Sequence, residues 1–141
     1  MDKEIILKSG NKLSFQYADF EMAQDLYTVV TEELEKKNVN VKDGAEGITV
    51  SVIKALSSMM GAKHITEYFW KCANTCLYNG ERITPSIFEN IEARKDFMEI
   101  KFHIIWNNIY VFFSNHLSEL KNLKTQDEET VQMIIQSLVS K

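Results

Sequence analysis

The sequence predicts a mainly α-helical protein that opens on a short β-hairpin, a compact bundle of about five or six helices including one long helix. Three observations carry this prediction. Apolar residues recur every three to four positions through most of the chain. Two short apolar runs near the N-terminus flank a Gly–Asn pair, the signature of a hairpin. The remaining breaks fall at Gly, Asn and Pro positions that start or stop helices. A chain of 141 residues has the usual size of one domain, and 45% apolar residues, with 11% aromatic, can fill a core. The expected layout is a single domain over 1–141: a hairpin in 1–17, a helical core in 19–120 and a C-terminal amphipathic helix in 125–141, packed or free.

Taken in order, Ile5–Ile6–Leu7 and Leu13–Ser14–Phe15 flank Lys8–Ser9–Gly10–Asn11–Lys12. Gly10 and Asn11 tolerate the positive φ of tight turns, and Leu7, Leu13 and Phe15 are the expected core-facing residues. Asp19 is placed to cap a helix running to about Lys37, with Phe20, Ala23, Leu26, Tyr27, Val30 and Leu34 on its inner face. Residues 38–47, which include Asn40, Asp43 and two glycines, read as a loop. A second helix is expected over 48–60, with Val52, Ile53, Leu56, Met59 and Met60 inward and Gly61 as a left-handed C-cap. Thr66 is then the expected cap of a third helix over 67–77 that buries Phe69, Cys72, Ala73 and Cys76.

Tyr78–Asn79–Gly80–Glu81 reads as a turn, and Thr84–Pro85 as an N-cap followed by Pro at the first helical position. That opens a short helix with Ile87, Phe88 and Ile91. A long helix is expected over about 93–120. One of its stripes holds Phe97, Ile100, Ile104 and Val111; a second holds Met98, Phe102, Ile105, Ile109 and Phe112. So wide an apolar girdle leaves two readings, a central helix buried all round or a helix partly facing another protein. Thr125–Gln126–Asp127–Glu128 forms a capping box, and Val131, Ile134, Ile135, Leu138 and Val139 then share one helical side. This last helix either closes the core or docks in a partner groove.

Composition narrows the function. Sixteen Lys and Arg against 20 Asp and Glu give a net charge of −4, and the cations lie scattered among acids, as in Glu92–Ala93–Arg94–Lys95–Asp96. A nucleic-acid surface needs clustered cations, so none is expected. The longest apolar run, Ile109–Phe113, is far below the roughly 20 residues that cross a bilayer. Met1–Asp2–Lys3–Glu4 does not resemble the start of a secretion signal. Cys72 and Cys76 lack the second ligand pair that zinc requires and read as buried core thiols. Glu99 and His103 can pair one turn apart on a solvated helix face, and His116 suits a helix C-terminal end. Glu32, Glu33 and Glu35, with Asp127, Glu128 and Glu129, read as exposed helix charges. No phosphate loop and no nucleophile elbow occurs. The expectation is a protein without catalytic residues, metal or cofactor. Trp70, Trp106, Tyr68 and Tyr110 suit either a core or an interface.

The hairpin Ile-x-Leu-Lys-Ser-Gly-Asn, the acidic helix, the segment Tyr78–Asn79–Gly80–Glu81–Arg82–Ile83–Thr84–Pro85 with Phe88, and the long helix reaching Phe112–Phe113 follow one another in order. This arrangement resembles the small tail assembly chaperones of long-tailed bacteriophages of Gram-positive bacteria. The resemblance spans the chain to about Leu120 and is most specific over Ile83–Thr84–Pro85–Ser86–Ile87–Phe88. It implies a non-enzymatic protein of the host cell cytoplasm that binds and solubilises the phage tape measure protein, assists assembly of tail tube protein around it, and is absent from the mature virion. It further implies self-association into a homo-oligomer and a longer form made by translational frameshift.

Covering a long apolar client favours adaptable Met and aromatic side chains. The candidate partner-binding residues are Met59, Met60, Phe69, Trp70, Trp106, Tyr110, Phe112 and Phe113. Burial of all eight within one protomer would overturn that choice. The alternatives are a virion structural component, such as a head–tail connector or tail completion protein, and a small host-directed regulator.

Overall fold

The computed structural model describes residues 2–36 and 54–114. They form a mostly helical body with an N-terminal antiparallel hairpin. Strand β1 is Lys3–Ile6 and β2 is Lys12–Phe15, paired with Ile5 opposite Leu13. Gly10 takes the positive φ that the turn needs, at 93°, while Asn11 does not. Leu7, Leu13 and Phe15 are all buried, as the alternation requires.

The hairpin is half of a larger sheet. Leu77–Tyr78 forms β3 and Glu81–Arg82 forms β4, so four antiparallel strands run in the order β1-β2-β3-β4. Leu13 lies opposite Tyr78. Between β3 and β4, Asn79 and Gly80 sit at φ 48° and 84°, the two-residue turn whose twist matches its strands. The Asn-Gly turn was legible in the sequence, but strands of two residues carry no periodicity to announce them.

Helix α1 spans Phe20–Lys36 and buries Ala23, Leu26, Val30 and Leu34 at regular helical spacing. Phe20, expected inside, is 69% exposed. It stands in the first turn, beyond the edge of the core. Residues 54–59 form α2, with Leu56, Met59 and the following Met60 buried. The remainder of the expected second helix, the loop before it and the C-terminal helix over 125–141 lie outside the described residues.

Helix α3 is Lys63–Ala73, starting earlier than expected. Ala62 takes the cap position, and Thr66 sits within the helix, its hydroxyl donating to the Ala62 carbonyl at 3.0 Å. Gly61 does not adopt a positive φ. The chain turns directly from α2 into α3 through an Ala62 N–H to Met59 carbonyl bond, leaving no room for a left-handed cap. Phe69, Cys72, Ala73 and Cys76 are fully buried, although Cys76 lies past the helix end, where β3 begins.

Thr84 and Pro85 open a short 3-10 helix, Pro85–Glu89, and the long helix α4 follows over Ile91–Ser114. The described residues thus hold four α-helices, fewer than the five or six expected. The Asn90 side chain caps α4, its Oδ1 accepting from the N–H groups of Glu92 and Ala93 at 2.9 and 3.2 Å. Residues 99–106 of α4 are all buried. Helices α1 and α3 pack on α4, the 3-10 helix abuts it, and the sheet lies against another side. This is the central-helix reading, and it explains why the apolar girdle is so wide.

Candidate interaction surface

The buried polar residues of α4 form the densest cluster of functional-looking groups. Asp96, Glu99, His103 and Asn107 recur at three-to-four spacing and so share one face, which meets the first hairpin. Asp96 Oδ2 accepts from Ser9 Oγ and Asn11 Nδ2, both at 2.9 Å, and from Tyr78 Oη at 2.7 Å. Both carboxylate oxygens of Glu99 accept from the Lys8 N–H, at 3.1 and 3.2 Å. Lys3 Nζ donates to Asn107 Oδ1 at 3.0 Å, and the Ala18 N–H to Asn108 Oδ1 at 3.0 Å. The side chains therefore satisfy backbone and side-chain donors that the turn leaves without strand partners.

Glu99 and His103 do stand one turn apart, with Nε2 3.7 Å from Oε2, but neither is solvated as expected: both are buried. The missed signal was the polar stripe itself. On an otherwise apolar helix it marks a contact with another polar element, here a Ser-Gly-Asn turn. Burial and the bond to Asp96 raise the Tyr78 phenol well above its ordinary value. The hydroxyl consequently stays a donor.

Lys101 is buried on a different side. Its Nζ donates to the Met60 carbonyl and, at 3.0 Å, to Thr66 Oγ1, and lies over the rings of Phe69 and Phe97 at 5.6 and 5.7 Å. Among the described residues it has no carboxylate partner, and burial lowers its pKa. Cys72 and Cys76 contact the carbonyls of Met22 and Gln16 through sulfur. Burial pushes the Cys72 thiol up to about 12 and raises that of Cys76. Protonated, buried thiols are poor nucleophiles and poor ligands. Among the described residues no group of three or more His, Cys, Asp and Glu is placed to hold a metal ion. No described helix is long and apolar enough to cross a membrane.

The proposed partner-binding residues divide sharply. Met59, Met60, Phe69 and Trp106 are buried in the core and offer no surface to a partner. Their Met and aromatic character serves packing between α2, α3 and α4. Trp70 is half-buried, held in an aromatic cluster that joins α3, the 3-10 helix and α4: its ring stacks on Phe97 at 5.9 Å and meets Phe88 edge-on at 6.0 Å. Tyr110 and Phe112 are half-buried, and the Phe113 side chain lies outside the described residues. Of the seven whose side chains are described, four are buried, so the seven form no single surface.

A partly exposed aromatic cluster does occur, at the end of α4 and the start of α1. Phe112 stacks on Tyr27 at 5.0 Å and tilts against Phe20 at 6.2 Å. Val111, 42% exposed, precedes it. Phe112 stands four positions after Asn108, the residue bonded to Ala18, on the side of α4 that meets α1. Tyr17 and Met22 are also exposed at this end of α1. Periodicity could not separate Phe20 from the core residues it is in phase with, because phase gives a face and not a depth.

Elsewhere a concavity of about 450 Å³ is polar, lined by Ser9, Asn11, Tyr78, Asn79, Glu81 and Asn90, among others. Most of those amides are already engaged: Asn79 Oδ1 accepts from the Lys12 N–H, and Asn79 Nδ2 donates to Asn11 Oδ1. Compared with known protein families, with curated proteins and with solved structures, the chain matches none.

Proposed function

We propose that this protein is a non-enzymatic bacteriophage tail assembly chaperone that binds and solubilises the tape measure protein and assists tail tube assembly. The observation that carries the reading is the partly exposed aromatic cluster of Phe20, Tyr27 and Phe112. Aromatic side chains half in water are the usual anchors of protein interfaces. An amphipathic client helix could lay its apolar side across them. The resemblance over Ile83–Phe88 and the long helix supplies the identity of the client. Candidate client contacts narrow to Phe20, Val111, Tyr110 and Phe112, with Trp70 as an outlying aromatic. The buried polar groups of α4 act as structural ties in this reading.

Co-expression with a tape measure protein tests it. The soluble fraction of the client should rise several-fold with the wild-type chain and fall back with Phe20→Asp or Val111→Asp. Both substituted residues are exposed, so the variants keep the core. No change in client solubility with the wild-type chain would sink the reading. Purified particles should lack the protein; its presence there would favour a structural role instead.

A further inference from the structure

We propose that strand β1 is a docking edge for a second copy of this chain: two β1 strands pair antiparallel about a two-fold axis at Ile5 and join two four-stranded sheets into one. The direction of the backbone groups is the first argument. The Leu7 N–H donates to the Asn11 carbonyl at 2.8 Å, so Leu7 turns its backbone toward β2. Hydrogen-bonded pairs alternate along an antiparallel ladder, which turns Ile5 toward β2 as well, and Glu4 and Ile6 away from it. The same alternation holds across β2, where the Lys12 carbonyl accepts from the Asn79 N–H at 2.8 Å and so faces β3. Among the described residues β1 ends the sheet, and no strand meets the outward N–H and C=O groups of Glu4 and Ile6.

The two edges of the sheet differ in a way that singles out β1. At the opposite edge, β4 has two residues, Glu81 and Arg82, both charged and exposed. Short length and charge are common protections of an edge against pairing. β1 has four residues and no Pro, and its Ile6 is 60% exposed on the outer face. An apolar edge of that kind is open to strand addition.

Self-complementarity selects a second copy as the occupant. With the axis at Ile5, Glu4 lies opposite the partner's Ile6, and each such pair exchanges both of its N–H···O=C bonds. All the outward groups of Glu4 and Ile6 are then satisfied. An axis at Ile6 would instead call on the Lys8 N–H, which the Glu99 carboxylate already holds. On the outer face Ile6 meets the partner's Ile6 diagonally across the axis, and Glu4 has the partner's Lys8 as a diagonal neighbour of opposite charge. The pairing stands on the geometry of β1 and does not depend on the chaperone reading.

Amide hydrogen exchange of the full chain tests it. An edge of four residues buries little area, so the dimer should be weak and the contrast should appear between about 10 µM and about 1 mM protein. At the higher concentration the Glu4 and Ile6 amides should exchange about five-fold more slowly, while Ile5, already bonded to β2, changes less. Ile6→Glu sets like charges opposite each other at both Glu4 pairs and should abolish the effect. Adding Glu4→Lys turns those pairs into ion pairs and should restore it. Both side chains are exposed, so the variants keep the core. Exchange at Glu4 and Ile6 that ignores concentration would overturn the proposal. Self-association that spares these two amides, or a double variant that fails to restore their protection, would overturn it equally. None of these readouts measures client solubility, so the two readings fail separately.

Discussion

Asp96 shows how one buried carboxylate can tie three pieces of chain together. It accepts hydrogen bonds from the β1–β2 turn through Ser9 and Asn11, and from β3 through Tyr78, while standing on α4. Hydrogen bonds to a charged group are worth more than neutral ones, and removing the acceptor strands its donors away from water. Asp96→Ala should therefore lower the unfolding free energy by about 3 kcal/mol, read from urea denaturation. Asp96→Asn, which keeps one acceptor, should lose less. A loss near zero for Asp96→Ala would show that water replaces these contacts. The residue was visible in the sequence only as one charge in a mixed run. Nothing local distinguishes it from Asp25 or Glu92, because its partners lie 18 to 87 positions away.

At the scale of elements, start signals were read best where they are local and worst where the neighbouring fold sets the boundary. Thr84–Pro85 opens its short helix as expected, and the Asn79–Gly80 pair turns as expected. Helix α4 starts two residues earlier than expected because the Asn90 side chain satisfies two of its first N–H groups. Asn90→Ala should cost about 1 kcal/mol of stability. Thermal or urea unfolding would show it, and Asn90→Asp, which keeps the acceptor, should retain most of the stability. The α3 start shifted for a different reason. A direct turn from Met59 to Ala62 begins the helix before Thr66 can cap it.

At the scale of the whole molecule, one central helix holds both a sheet and three helical neighbours, and the groups buried in the elements around it shape the response to alkali. Cys72 has an ordinary pKa of 9.0 and is pushed up to about 12 in the fold, with Cys76, Tyr27 and Tyr78 raised in the same direction. An acid whose pKa is raised by folding stays protonated in the native chain while the unfolded chain ionises. Its contribution is complete below the ordinary value and is lost as pH climbs through the folded one. Lys101 works the other way: its lowered pKa makes the charged form costly, and that cost fades as pH rises toward its ordinary 10.5. The thiols and phenols outnumber it. The urea midpoint should fall from about pH 8 to about pH 10.5, and Cys72→Ala should make that fall shallower. A flat profile would show that the thiols gain water on the native side.

The sequence by itself determined the helical class, the first hairpin, the inner faces of α1 and α3, and the burial of both cysteines. Each rests on short-range periodicity or turn chemistry, which the backbone obeys before any tertiary contact forms. Tertiary structure alone decided that β3 and β4 extend the hairpin into a sheet, that Glu99 and His103 are buried, and that Phe20 faces water while Trp106 does not. The physical reason is common to all three. Periodicity assigns a side chain to a face of its own element, but depth depends on which other elements cover that face and where each of them stops.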